Sequence, residues 1–376
     1  MCQGGNGGCA MEVKKILIIA GKLIIGGAEK VCGDIALYAD REKFAVDYVV
    51  FGDDVGVYES SVEAAGCRVF HLPEPSEGYL AYLRGLHKLM KENCYHAVHA
   101  HTMFSCGWAM LVANWNGVPV RISHSHSALV DGNGFVKTVY EKLMQFLILN
   151  CSTDLVGCGV KAGQRLFGEK QFAKRGNLIL NGIDVAAFAY NEEKRSAIRA
   201  QLEAGERFVL GHSGHLAAVK NQSFLLDLMP LVLEKKPDAL LLMLGEGGDR
   251  PMLEQKIRDM NLQDHVVMTG NVSNVADYLS AMDVFVFPSL FEGLPLSILE
   301  VQANGLPCVI SDGVPEDVFL TDLIRPLSLK QDKRDWWEAI LAARRGDTQK
   351  YNRQLQNSDY AVEAAMEKIY AIYDKG

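Results

Sequence analysis

The chain alternates short, nearly unbroken apolar runs with stretches in which apolar residues recur every three to four positions. The first kind of run fits a strand buried on both faces, and the second fits a helix that buries one stripe. Their alternation predicts β-α units built on parallel sheets. Strands are expected over residues 13–20, 45–51, 68–72, 97–100, 120–123, 154–158 and 178–180, with helices over 28–38, 57–65, 79–91, 108–115 and 137–149. A turn at Asn181-Gly182-Ile183-Asp184 and a charged, weakly apolar stretch to Gly205 interrupt the pattern, which then restarts. Further strands are expected over 208–211, 239–244, 266–269, 284–287 and 308–311, the last clear one. Helices are expected over 222–234, 250–260, 275–281 and 295–303, before a mostly helical tail from 336 to 373.

Two such series in one chain predict the α/β class, with two Rossmann-like doubly wound domains facing a central cleft. The boundaries read as 13–184 for the first domain, 185–206 for a linker and 207–357 for the second domain. Open parallel sheets bind ligands beyond the carboxyl ends of their strands, so the cleft is the expected ligand site before any motif is considered. The glycine-rich opening MCQGGNGGCA reads as part of a flexible leader over 1–12, with Met11 as an alternative start.

Composition narrows the options. A length of 376 residues suits two cores, and 49% hydrophobic with 22% charged residues is globular. A net charge of −8 argues against a nucleic-acid partner, which needs a basic face. The richest apolar run, 16–25, is broken by Gly21 and Lys22 and falls short of the roughly 18 residues of a spanning helix. Nine cysteines occur without a C-x2-C pair, and most lie inside predicted core segments, where they read as buried thiols in a reducing cytoplasm. Neither H-E-x-x-H nor a D-x-D at a strand end occurs, so no metal and no cofactor are expected.

Two loops carry candidate chemistry. The first runs from Gly21 to Lys30 and places Gly26 and Gly27 between a strand and a helix, where backbone amides can approach a phosphate. Its spacing is neither G-x-G-x-x-G nor a P-loop. The second runs from Phe287 through Glu292-Gly293-Leu294-Pro295 to Glu300, from a strand end into a helix. Amides at the helix start suit a diphosphate, and carboxylates accept hydrogen bonds from sugar hydroxyls. Spacing alone favours an ordinary helix with two solvated glutamates.

The second loop resembles the E-x7-E signature of retaining glycosyltransferases of family four, which have the GT-B fold. Gly26-Gly27-Ala28-Glu29, His99-Ala100-His101, Asn181-Gly182-Ile183-Asp184, Lys220-Asn221, Leu244-Gly245-Glu246-Gly247 and the run from Asp283 to Ser289 match in order. The resemblance extends over nearly the whole chain from Val13 and is strongest to the branch that builds exopolysaccharide and capsule. It implies a nucleotide-sugar donor, a UDP-sugar by family habit, and a glycan or lipid-linked acceptor. It also implies that a C-terminal helix within 358–374 returns to the first domain. On the same ground Glu300 would hold the donor ribose, Glu292 would contact the transferred sugar, and the amides of Gly293 and Leu294 would face sugar and phosphate. Val272 would touch the base, Lys220 would bind the diphosphate, and Gly26 and Gly27 would lie against the donor. A histidine beside the donor sugar would be His124 or His126, which close a predicted strand.

One position departs from the family. His215 stands where an arginine is usual, five residues before Lys220. A neutral imidazole offers less positive charge to a leaving diphosphate, and a protonated one restores part of it. Arg250 is a candidate substitute. A weakened member that binds a nucleotide-sugar or a partner without transfer is therefore the alternative reading. The helix over 137–149, with Tyr140, Leu143, Met144, Phe146 and Leu147, reads as a core helix. Its alternative role is peripheral contact with the inner face of a membrane or with a lipid-linked acceptor.

Overall fold

The computed structural model describes residues 13–24, 26–127 and 134–376. The expected leader over 1–12 and Ile25 of the first glycine loop lie outside the described residues. Two compact units form, each on its own parallel sheet.

The first unit ends its main run at Gly182 and resumes with Val362–Gly376. Its strands are β1 (Lys14–Gly21), β2 (Phe44–Phe51), β3 (Arg68–Leu72), β4 (Ala97–Ala100), β5 (Val120–Ser125), β6 (Asp154–Gly157) and β7 (Gly176–Leu178). They lie in the order β3-β2-β1-β4-β5-β6-β7. The period of two in β1 feeds two cores at once. Ile16 and Ile18 pack with the helix Gly27–Tyr38, through Cys32 and Ile35. Leu17 and Ile19 pack with residues of the helices Pro75–Asn93 and Cys106–Trp115. The last helix, Val362–Tyr373, completes the first of these cores with Ala365, Met366, Ile369, Ile372 and Tyr373.

The second unit spans Ile183–Ala361. Its strands β8 (Val209–Ser213), β9 (Leu240–Leu244), β10 (Val266–Gly270), β11 (Val284–Phe287), β12 (Cys308–Ser311) and β13 (Ile324–Leu327) take the order β10-β9-β8-β11-β12-β13. Every residue of β9 is buried, as its unbroken Leu-Leu-Leu-Met-Leu sequence requires. Trp336 and Ile340 of the helix Lys333–Ala342 close this core.

Four local expectations change. The expected linker, 185–206, holds the helix Glu192–Gln201 within the second unit. Polar contacts rather than an apolar stripe fasten that helix, with Arg195 Nη2 donating to Asp283 Oδ1 at 2.6 Å and Arg199 Nη1 to the Ala281 carbonyl at 2.8 Å. Strand β13 follows the expected last strand. As an edge strand it tolerates Pro326 and leaves Arg325 exposed, so it lacks the apolar signature. Strand β7 sits two residues earlier than expected. The helix Phe135–Cys151 is not a core helix. Only Met144, Ile148 and Cys151 are buried, a narrow face at i, i+4 and i+7, while Phe135, Val136, Val139, Leu143 and Phe146 face outward. Among the described residues no helix is long and apolar enough to cross a membrane.

Candidate functional site

In each sheet the strand order turns back on itself beside the first strand, between β1 and β4 and between β8 and β11. Loops at such a switch point diverge to opposite faces and leave a crevice at the carboxyl ends. Of the candidate residues of the second unit, His215, Lys220, Glu292, Gly293 and Leu294 follow β8 and β11 at this point, whereas Val272 follows β10 and Glu300 lies in the helix after the β11 loop.

Strand β8 runs into Gly214, and the aliphatic stem of Lys220 lies along that glycine, with Cε 3.8 Å from where a Cβ would stand. The loop after β9 packs backbone to backbone on the loop after β8. Leu216 N donates to the Glu246 carbonyl at 2.9 Å. Gly245, at φ +125°, would bring a Cβ to 2.2 Å from the Gly214 carbonyl, so only glycine fits. The loop after β11 is tied to the same place. Asn221 Nδ2 donates to the Pro288 carbonyl at 3.1 Å, and Leu290 N to the Val219 carbonyl at 2.8 Å. Glu292 N donates to the Gly313 carbonyl at 3.0 Å, beyond β12.

These ties bring Lys220 Nζ within 2.8 Å of Glu292 Oε1 and 5.1 Å of the Phe287 ring centroid. Both side chains are largely enclosed, at 21% and 9% exposure. A pair so sheltered is costly to break unless another charge replaces the lost partner. Gly293 follows exposed, with open space around its Cα, and Leu294 is half-buried. The helix Leu296–Ala303 begins immediately after Pro295, and Glu300 lies half-buried within it. Val272 is half-buried just past β10. His215 is exposed, and its carbonyl accepts from Gln222 Nε2 at 2.9 Å. Arg250, the candidate substitute for the missing arginine, has its guanidinium held by Glu246 at 2.6 Å and Glu254 at 2.8 Å. The second unit thus offers a cation, loop amides and a carboxylate that can exchange partners.

Beneath the Lys220 loop lies His212, fully buried between Phe285 and Phe287, with ring centroids 6.1 and 5.5 Å away. Its Nδ1 donates to the Val286 carbonyl at 3.0 Å, which fixes Nε2 as the acceptor facing Gln222 Nε2 at 3.2 Å.

The first unit contributes Gly26 and Gly27, at the start of the helix Gly27–Tyr38. A Cβ on Gly26 would meet Glu29 Oε2 at 2.2 Å, and one on Gly27 would lie 3.6 Å from Asn181 Nδ2. At the carboxyl ends of β4 and β5, four histidines gather. His101 Nδ1 lies 2.8 Å from His126 Nε2, and His99 Nε2 lies 3.2 Å from His124 Nδ1. His99 Nδ1 also meets the Tyr373 hydroxyl at 2.8 Å. Burial pushes His99 down to about 3 and His126 to about 4, and holds His101 and His124 well below the ordinary imidazole range. Sequence reasoning weighed His124 with His126 and His99 with His101, but did not join the two pairs. The available signal was two H-x-H triplets at the ends of adjacent strands, which the period of two places on one face.

The family described as "Glycosyl transferases group 1" matches residues 193–324, and the one described as "Glycosyl transferase 4-like domain" matches residues 26–159. EpsF of Bacillus subtilis (strain 168), an inferred glycosyltransferase, is 34% identical over 336 residues, covering 88% of each chain. The UDP-Gal:alpha-D-GlcNAc-diphosphoundecaprenol alpha-1,3-galactosyltransferase of Escherichia coli is 29% identical over 239 residues, 61% of each chain. The crystal structure of HepE of Anabaena in complex with UDP superposes with a TM-score of 0.76 at 18% identity, covering 96% of this chain and 99% of that one.

His212 generates a prediction. Burial lowers its pKa from 6.5 to about 4. As pH falls, the unfolded chain therefore takes up this proton first. The stability contributed by the neutral ring is complete above about pH 6.5 and is lost between there and about pH 4, on the order of 3 kcal/mol in all. The fall of Tm across that window should be shallower in His212→Gln. An identical slope in both proteins would show that His212 is not held neutral.

Proposed function

The chain belongs to the group 1 glycosyltransferases of GT-B fold, and from that premise we propose a retaining hexosyltransferase that takes a UDP-sugar and serves surface polysaccharide synthesis in the cytoplasm. The acceptor is a glycan or a lipid-linked sugar. The observation that carries the reading is Lys220, held 2.8 Å from Glu292 at the switch point of the second sheet.

In this reading the donor diphosphate takes Lys220 from Glu292. The freed Glu292 carboxylate then accepts hydrogen bonds from the sugar hydroxyls. The amides of Gly293 and Leu294 face the sugar and the phosphate, Glu300 holds the ribose and Val272 meets the base. Negative charge grows on the leaving diphosphate, and Lys220 with these amides stabilises it without a metal ion at the phosphates. The acceptor hydroxyl attacks from the face the diphosphate leaves, and a phosphate oxygen takes its proton. Gly26 and Gly27 of the first unit contribute to the donor on the strength of the resemblance. Of the two candidate histidines, His126 takes the role beside the donor sugar, because it retains partial exposure whereas His124 is 1% exposed. His215 supplies charge only when protonated, a state that contact with phosphate favours.

His215 also supports the second reading, a member that binds its donor without transferring. Nucleotide release from a panel of UDP-, GDP- and ADP-sugars separates the two. The transferase reading expects turnover with a UDP-sugar, a loss of roughly 10²- to 10³-fold in kcat for Lys220→Ala, and a gain in kcat for His215→Arg. Binding without turnover in both His215 and its arginine variant would establish the second reading. No release and no nucleotide binding by calorimetry would remove both.

The outward face of the helix Phe135–Cys151 supports peripheral contact with an anionic membrane, since exposed Lys137 and Lys142 accompany Phe135, Val139, Leu143 and Phe146. The protein should sediment with vesicles containing anionic lipid, and Leu143→Glu with Phe146→Glu should abolish this. Sedimentation unchanged by the pair would exclude this face.

A further inference from the structure

We infer that His99, His101 and His124 of the first unit form a binding site for a divalent transition-metal ion of the zinc class. The inference is independent of the transferase reading, and the ion it names is not one that bridges the donor phosphates.

The argument begins with unmet hydrogen-bonding capacity. His101 Nε2 and His124 Nε2 are buried with no hydrogen-bond partner. Two such atoms in one cluster call for an occupant, since buried polar atoms are ordinarily satisfied. One ring nitrogen from each of His99, His101 and His124 lies within 4.8 Å of those of the other two. The side chains of the three are enclosed, at 0%, 4% and 1% exposure. The packing supports their neutral form, which is the form that ligates a metal.

The partners of the remaining nitrogens have the arrangement that metal ligands use. A ligating histidine carries its metal on one nitrogen and gives the other to an oriented hydrogen bond. His99 Nδ1 faces the Tyr373 hydroxyl at 2.8 Å, and His101 Nδ1 faces His126 Nε2 at 2.8 Å. Each of these contacts leaves the Nε2 of its ring for an ion. The contact of His99 Nε2 with His124 Nδ1 would give way to coordination, with the free Nε2 of His124 as the third ligand.

Ligand chemistry selects the ion. Three imidazoles suit Zn²⁺ and its neighbours, whereas Mg²⁺ and Ca²⁺ require oxygen ligands. Three histidines leave one position of a tetrahedral zinc site open to water. The ion would also set a tautomer. With a metal on Nε2, His101 keeps its proton on Nδ1 and donates it to His126 Nε2, so His126 carries its own proton on Nδ1.

The test uses the full chain, freed of metal by a chelator, and needs no sugar donor. Calorimetry with ZnCl₂ should give one ion per chain, and Tm should rise with zinc concentration because the ion binds only the folded state. His101→Gln and His124→Gln should each abolish the one-to-one binding. Tyr373→Phe removes only the hydroxyl and should weaken affinity about tenfold. Co²⁺ bound to the wild type should show visible d–d absorption without the near-ultraviolet band of thiolate ligation. Circular dichroism on each variant establishes that it is folded, and the cobalt spectrum of the wild type stands whether or not a variant folds. The inference is overturned by an absence of zinc and cobalt binding, by a thiolate band, or by binding that survives both glutamine substitutions.

Discussion

A lysine and a glutamate that are 72 positions apart in sequence share an enclosed ion pair at the mouth of the second sheet. Their meeting depends on β8 and β11 being neighbours, because only then do the loops after them leave the sheet side by side. One glycine permits the rest. The lysine stem lies along Gly214 in ordinary van der Waals contact, and Gly245 lets the next loop close on the carbonyl of Gly214. Hydrogen bonds from Asn221 and Leu290 then hold the loops at fixed separation. In the proposed reading this fixed spacing lets an anion take the place of Glu292 with little rearrangement of the loops, as electrostatic stabilisation of a leaving group requires.

The final helix gives the first unit its second dependence. Val362–Tyr373 supplies apolar side chains to the core beneath β1, and its Tyr373 hydroxyl reaches His99. Tyr370 adds a hydrogen bond to the Ile35 carbonyl at 2.9 Å. The histidine cluster is thus framed by two strand ends and by the end of the chain.

Much of this was legible in the sequence where burial is complete on both faces. Strand β9, Leu240–Leu244, and the strand-to-helix passage from Phe287 to Glu300 announce themselves through unbroken apolar runs followed by Gly293 and Pro295. Elements fixed by other forces were not legible. The helix Glu192–Gln201 is held through arginines on Asp283, and β13 is an edge strand with a proline, so neither carries the apolar pattern used to find elements. The helices Val160–Phe167 and Glu169–Arg175 also went unassigned. Within the site, residue types were readable but their partners were not. Nothing in the spacing says that Arg250 spends its charge on Glu246 and Glu254, and the two H-x-H triplets show that four histidines share a sheet end only once β4 and β5 are known to be neighbours.

The central claim is that Glu292 keeps the seat beside Lys220 that a diphosphate later takes. Calorimetric titration of UDP into the wild type and into Glu292→Gln addresses it most directly. Removing the competing negative charge should tighten UDP binding in the variant. Equal or weaker binding would contradict the claim and separate Lys220 from the phosphate.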